Sequence, residues 1–166
     1  RPVLTKWVYM MGKAVSMPTM PKADFSRPLP FSSAVNSVDC PKWEIDYLYE
    51  AYTPERIVKN AAEGHTYVLW EDSRIIGTGT IGSVGEAESE IYGAFLLPEY
   101  IGKGYGRKLF DLLESDPLFV SADRVWLTAS ITALKFYEKI GYTYEGGYCH
   151  LNEENLIVME KFPGRK

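Results

Sequence analysis

Leu96-Leu97-Pro98-Glu99-Tyr100-Ile101-Gly102-Lys103-Gly104-Tyr105-Gly106-Arg107-Lys108-Leu109 sets three glycines at alternate positions between an apolar run and an amphipathic one. Glycine loses more conformational freedom on ordering than any other residue, so this spacing needs a reason in the backbone: a turn or a close approach that side chains forbid. The run before it, EIYGAFLLP from Glu90 to Pro98, is apolar nearly throughout toward its end, as an interior strand is. The run after it, GYGRKLFDLLESD, spaces Leu109, Leu112 and Leu113 along one face of a helix. Strand, glycine turn and helix start present N–H groups that lack internal partners, and the helix dipole adds positive character at the same point. Such a nest suits a phosphate or pyrophosphate, and Lys103, Arg107 and Lys108 add cationic charge. A Walker A loop is excluded, because Arg107 and Lys108 follow Gly106 where Lys and then Ser or Thr are required. The spacing is GxGxG rather than GxGxxG, with no early βαβ unit around it, which excludes the dinucleotide fingerprint. Local chemistry alone leaves two readings, a diphosphate at a helix start or a glycine turn without a ligand.

Outward from this segment, HTYVLWED and RIIGTGTIGSV are β-rich runs that meet near Asp72-Ser73 and predict a hairpin. RVWLTA (Arg124–Ala129) predicts a further strand, and SITALKFYEKIG a helix that Gly141 ends. YTYEGGYCH and NLIVMEKF flank LNEEN as a terminal hairpin. Upstream, Trp43, Ile45, Leu48 and Tyr52 share a helical face. Thr53, Pro54 and Glu55 open a second helix that Gly64 closes. The order is close to (β)ααβββαβαββ, a mixed α/β domain around one sheet. Residues 1–40 are Pro- and Ser-rich and read as an N-terminal extension or as a first strand plus loop, with the core over residues 41–166.

A chain of 166 residues is long enough for one domain with a sizeable core, and 46% hydrophobic with 24% charged residues is ordinary globular composition. A net charge of −4 argues against a protein whose main task is gripping nucleic acid. Two cysteines, Cys40 and Cys149, make no disulfide framework. With only His65 and His150 besides, no metal site is expected. No apolar run approaches the ~20 residues of a membrane span. The first residues, RPVLTKWVYMMGK, lack the features of a secretory leader, so a cytoplasmic setting is the expectation.

PEYIGKGYGRKLFDLL resembles the acyl-CoA-binding motif of the GNAT N-acetyltransferase superfamily, Q/R-x-x-G-x-G/A at a strand-to-helix turn. ASITALKFYEKIGY, downstream, resembles that superfamily's N-x-x-A-x-x-F-Y-x-x-x-G-F segment. The two matches and the strand order between them cover roughly residues 53–162. The resemblance implies a single α/β domain (mixed α+β) with a central, mostly antiparallel mixed sheet and helices on both faces. It implies acetyl-CoA as cosubstrate, no metal, and a small-molecule or peptide primary amine as acceptor, and it is compatible with a homodimer. Two positions depart from the pattern: Ile101 stands where Gln or Arg is usual, and Ser130 where Asn is usual.

In this family a strand splays from its neighbour and the pantetheine arm bonds into the gap. By carry-over that strand is Glu90–Pro98, opposite Arg124–Ala129, with Gly93 compatible with a bulge. The main chain of Phe95, Leu96 and Leu97 then meets the pantetheine and acetyl group. The segment Ile101, Gly102, Lys103, Gly104, Tyr105, Gly106 and Arg107 meets the pyrophosphate, and Ser130 and Ala133 complete the coenzyme contacts. Acetyl transfer needs a neutral amine, a donor for the developing oxyanion and an acid for the departing thiolate. Leu96 N–H is the candidate donor and Tyr137 the candidate acid, by its match to the family tyrosine. Ala133, Tyr137 and Ile140 also form a helical stripe, so a core aromatic is the alternative.

For the base, Glu90 lies fourteen residues before Gly104, similar to the glutamate of the histone-acetyltransferase branch. Its alternatives are water as the base and a solvated carboxylate in the run EAESE. The acceptor region of the family corresponds here to residues 1–52 and 142–155, which carry Trp43, Tyr47, Tyr49, Tyr52, Tyr142, Tyr144 and Tyr148. Against the enzyme stand two other classes: a non-catalytic acyl-CoA-binding module, and a nucleotide-binding protein.

Overall fold

The computed structural model describes residues 63–71, 74–153 and 155–164. The expectations for residues 1–40, for the helical faces at Trp43–Tyr52 and from Thr53, and for the Asp72-Ser73 turn lie outside the described residues. Among the described residues, six strands form one mixed sheet in the order β1-β2-β3-β4-β6-β5. They are β1 (His65–Glu71), β2 (Arg74–Ser83), β3 (Glu88–Leu96), β4 (Arg124–Ala129), β5 (Thr143–Tyr144) and β6 (Ile157–Lys161). Helices lying wholly within the described residues are α1 (Tyr105–Glu114), α2 (Pro117–Val120) and α3 (Leu134–Lys139). Two compact units divide the chain: one runs to Thr80 and includes Gly93–Leu109, the other takes Ile81–Tyr92 and everything from Phe110 onward.

In the first unit, Tyr67, Leu69, Ile76, Leu97 and Leu109 are buried. Leu97 N–H donates to Ile76 O at 2.9 Å, tying the end of β3 to β2. Thr66 and Thr80 share a hydroxyl–hydroxyl hydrogen bond of 2.8 Å.

In the second unit, β3 and β4 run parallel, pairing Glu88 with Arg124 through Ile91 with Leu127. A parallel pair needs a long crossover, which α1 and α2 supply. Asp116 starts α2: its carboxylate accepts from Leu118 N–H at 2.8 Å, and Pro117 takes the first helical position. Ser89 Oγ donates to Leu118 O at 3.0 Å, holding α2 to the start of β3. On β4, Val125, Leu127 and Ala129 are buried while Arg124, Trp126 and Thr128 are half-exposed, the alternation of a strand with one covered face. The last strand in the chain, β6, inserts between β4 and β5, antiparallel to both.

The expected strand runs are present, with local differences. Strand β3 starts two residues early, at Glu88, and ends at Leu96 because Pro98–Tyr100 turns into a 3-10 helix. The first turn of SITALKFYEKIG is a 3-10 turn, Ile131–Ala133, before α3 begins at Leu134. Gly141 does end this helix, at φ +94°, and Tyr142 N–H closes back onto Tyr137 O at 3.0 Å. The terminal hairpin is shorter than expected. Strand β5 holds only Thr143 and Tyr144, because Gly146 (φ +59°) and Gly147 (φ +81°) turn the chain away from YCH. The chain returns through Asn152, whose Oδ1 accepts from Leu156 N–H at 2.9 Å.

Candidate functional site

The glycine segment belongs to the first unit. Tyr100 N–H donates to Leu97 O at 2.9 Å, closing the 3-10 turn that leaves β3. Gly102 (φ +75°) and Gly104 (φ +85°) then take left-handed conformations that side chains rarely adopt. A Cβ at either position would meet no atom within 4 Å, so conformation and not crowding demands glycine, and open space lies beside the backbone. Lys108 N–H donates to Gly104 O at 3.2 Å, which begins α1. The N–H groups of Tyr105, Gly106 and Arg107 therefore occupy the first helical turn, where intrahelical acceptors are missing. The ammonium of Lys103 stands 5.8 Å from the Tyr100 ring centroid and that of Lys108 4.9 Å from the Tyr105 ring. Ile101 is 55% exposed.

Two tyrosines of this segment meet one carboxylate. Tyr105 hydroxyl donates to Glu71 Oε1 at 2.8 Å. The hydroxyls of Tyr100 and Tyr105 hold the Glu71 carboxyl below the ordinary carboxylate range, Tyr100 contributing most, with Lys103 acting in the same direction. The Tyr105 hydroxyl is correspondingly raised, first by its bond to Glu71.

The end of β3 has its own geometry. Gly93 adopts φ +59° inside the strand, the left-handed conformation of a glycine bulge. Both main-chain groups of Leu97 are engaged, its N–H with Ile76 O and its carbonyl with Tyr100 N–H. Successive N–H groups of a strand point to opposite edges, so Leu96 N–H is directed to the edge away from β2. Strand β2 approaches closely here: a Cβ on Gly77 would lie 3.0 Å from Leu96 Cδ1 and from Phe95 O.

Glu90, Ser130, Ala133 and Tyr137 belong to the second unit. Tyr137 is buried at 8% exposure, its ring edge-to-face with Phe110 (5.4 Å), Phe136 (5.3 Å) and Tyr142 (5.9 Å). This contact set is that of a core aromatic, and it fixes the ring in one orientation. Tyr142, expected in the acceptor region, instead lies in this cluster at 2% exposure. Its hydroxyl has no hydrogen-bond partner among the described residues, and burial pushes its pKa well up, with Glu114 and Tyr137 adding to the effect. Ser130 Oγ is 3.1 Å from Thr132 Oγ1, and Ser130 O accepts from Ala133 N–H at 3.0 Å. Glu90 is half-buried and stands in register with Trp126.

Strand alternation puts Glu88 on the same face as Glu90, but Glu88 belongs to an ion-pair cluster centred on Arg124. There Arg124 Nε donates to Glu160 Oε2 at 2.8 Å, and its other nitrogens reach Glu145 and Glu88. Glu71, Gly77 and Arg124 were not distinguishable as a carboxylate anchor, a close-approach glycine and an ionic hub from sequence. Only Gly77 left a signal, the alternation of Gly77 and Gly79 in β2. Among the described residues, no group of three His, Cys, Asp or Glu could hold a metal ion. No described helix is long and apolar enough to cross a membrane.

Residues 32–142 match the family model described as Acetyltransferase (GNAT) family. An uncharacterized acetyltransferase of Streptococcus pyogenes serotype M3 is 27% identical over 101 residues, covering 57% of this chain and 71% of the relative. The fold is similar to the PaiA N-acetyltransferase of Thermoplasma acidophilum solved in complex with coenzyme A, with a TM-score of 0.66 and 17% identity over 83% of this chain and 89% of that one. It is also similar to an aminoglycoside 6'-N-acetyltransferase complexed with coenzyme A, with a TM-score of 0.55 and 14% identity over 86% and 96% of the two chains.

Proposed function

Since this chain belongs to the GNAT acetyltransferase family, we propose that it moves an acetyl group from acetyl-CoA to a primary amine, by direct attack through a tetrahedral intermediate. The observation that carries the coenzyme is the glycine segment: two left-handed glycines bordered by open space, leading into the first turn of a ten-residue helix. These residues fit a pyrophosphate. The backbone donors of Gly102, Gly104, Tyr105 and Gly106 are unencumbered by side chains at Gly102 and Gly104, whereas Lys103 N–H already donates to Tyr100 O at 3.4 Å; Lys103 and Arg107 supply opposite charge. Coenzyme A in the two structural relatives supports the same ligand here.

On this reading the residues divide the work. Leu96 N–H, pointing away from β2, donates to the oxyanion as it develops, a donor that costs no reorganisation at the moment of reaction. Phe95 and Leu97 face β2 and fix the strand that carries it. Tyr137, locked by three aromatic neighbours, delivers its hydroxyl proton to the departing sulfur. Glu90, or water ordered near it, takes a proton from the acceptor's ammonium, whose unperturbed pKa is about 10.4, so that the neutral amine attacks the thioester carbonyl. Ser130 and Ala133, at the turn into α3, flank the coenzyme.

Exposed Ile101, and Ser130 with its hydroxyl beside Thr132, favour a second reading, an acyl-CoA-binding module without catalysis. One assay separates the two: release of coenzyme A thiol on mixing the protein with acetyl-CoA and a panel of primary amines. Thiol release that depends on an amine supports the enzyme. Binding without release supports the module. A thermal shift with ATP or NAD and none with coenzyme A would overturn both, since a ligand at 100 times its dissociation constant adds about 2.7 kcal/mol. For the base, Glu90→Gln is expected to lose activity most at low pH, and an unchanged pH–rate profile assigns the step to water.

A further inference from the structure

We propose that Glu71 is a positioning residue that holds the glycine segment in its binding conformation before the coenzyme arrives. The inference rests on the reading of that segment as the coenzyme site. Gly102 and Gly104 have open space where their side chains would be, so packing at these two positions does not order the backbone. Glycine is the residue that loses most freedom on ordering. Inside the segment Lys103 N–H donates to Tyr100 O across a long 3.4 Å, so further order comes from the flanks, Tyr100 and Tyr105.

Both hydroxyls converge on the Glu71 carboxylate at the end of β1, the Tyr105 bond measuring 2.8 Å. The two rings meet edge-to-face with centroids 5.3 Å apart and planes at 88°. One carboxylate thus closes a bracket around the four residues between the tyrosines, using two charge-assisted hydrogen bonds. The same carboxylate places negative charge near the proposed diphosphate, which opposes binding. The proposal is that anchoring outweighs this repulsion: when only a fraction of the molecules hold the binding conformation, apparent affinity falls by that fraction.

The test measures coenzyme A affinity by calorimetry, acetyl-transfer kinetics, and amide hydrogen exchange of the ligand-free protein, for wild type, Glu71→Leu, Glu71→Gln and Tyr105→Phe. Glu71→Leu is expected to raise both the coenzyme A Kd and the acetyl-CoA KM about tenfold, with kcat within about twofold. Amides of residues 101–106 should exchange faster in the ligand-free variant. Glu71→Gln, which keeps an acceptor and loses the charge, should recover most of the affinity. Tyr105→Phe should resemble a weaker Glu71→Leu, and the double variant should add little to Glu71→Leu alone.

Tighter binding by Glu71→Leu would show that repulsion dominates and would overturn the proposal. So would unchanged Kd and unchanged exchange, or lower stability with KM unmoved. Should Glu71→Leu fail to fold, Glu71→Gln and Tyr105→Phe decide by the same readouts. Wild-type protein that binds no coenzyme A overturns the acetyltransferase reading itself, and the exchange arm still decides whether Glu71 anchors the segment.

Discussion

Gly104 and Tyr137 show two different ways in which a single residue is committed. Gly104 is held at φ +85° with free space around it, so an added methyl group meets strain and no clash. Gly104→Ala is expected to cost about 1 kcal/mol of stability and to raise the acetyl-CoA KM with little change in kcat; urea unfolding and steady-state kinetics check both. Tyr137→Phe keeps the ring and its three aromatic contacts and removes only the hydroxyl. It should lower kcat by roughly 30-fold or more while the coenzyme KM stays within about threefold, as for loss of a general acid. Unchanged turnover would leave Tyr137 as core alone. The glycine's role could be read in the sequence because only backbone geometry explains alternate glycines before a helix. The tyrosine's could not be separated from packing, since an aromatic on a helical stripe satisfies both readings.

At the scale of elements, placement depends on residues that no local pattern marks. Gly77 lets β2 approach the end of β3, and Gly77→Val should force Phe95 and Leu96 to move. A stability loss of about 1–3 kcal/mol is expected, together with weaker coenzyme binding, read by calorimetry against a folded control. Between α3 and β5 the Tyr144 hydroxyl donates to Glu138, and this bond, with smaller contributions from desolvation and nearby groups, pushes the tyrosine up to about 12. Its folded pKa exceeds the ordinary 10.0, so folding favours the protonated hydroxyl. The stabilisation is complete below pH 10 and is lost between about 10 and 12. Tyr144→Phe should therefore flatten the stability–pH curve over that window, as measured by urea midpoints. Strand β4 was legible in RVWLTA because its burial alternates with period two. Helix α2 was not, since four residues carry no period, and β5 was overestimated because Gly146 and Gly147 act as turn residues inside an otherwise strand-like run.

At the scale of the whole molecule, contacts distant in sequence decide what could be foreseen. Glu71 and Tyr105 are 34 residues apart, and Arg124 and Glu160 are 36 apart, so neither pairing leaves a local trace. The Arg124 hub joins β3, β4, β6 and the turn after β5 through Glu88, Glu160 and Glu145. Glu160 is also held by Gly146 N–H at 3.2 Å, and its side chain is 12% exposed. Arg124→Met should leave that carboxylate half-compensated and cost about 2 kcal/mol, less than for a fully buried pair because the guanidinium is partly exposed. A drop in the urea midpoint with an unchanged slope would register this; no drop would show that solvent already screens the cluster.

The position of β6 has a consequence for how the chain is made. It is the last of the six described strands in sequence, yet its neighbours on both sides, β4 and β5, are synthesised before it. Until Ile157–Lys161 leaves the ribosome, the edge of β4 that pairs with it from Val125 to Ala129 stays open. The pairing of β4 along that edge waits for synthesis of β6, and an interrupted translation product carries a row of unpaired backbone N–H and C=O groups suited to pairing with other chains.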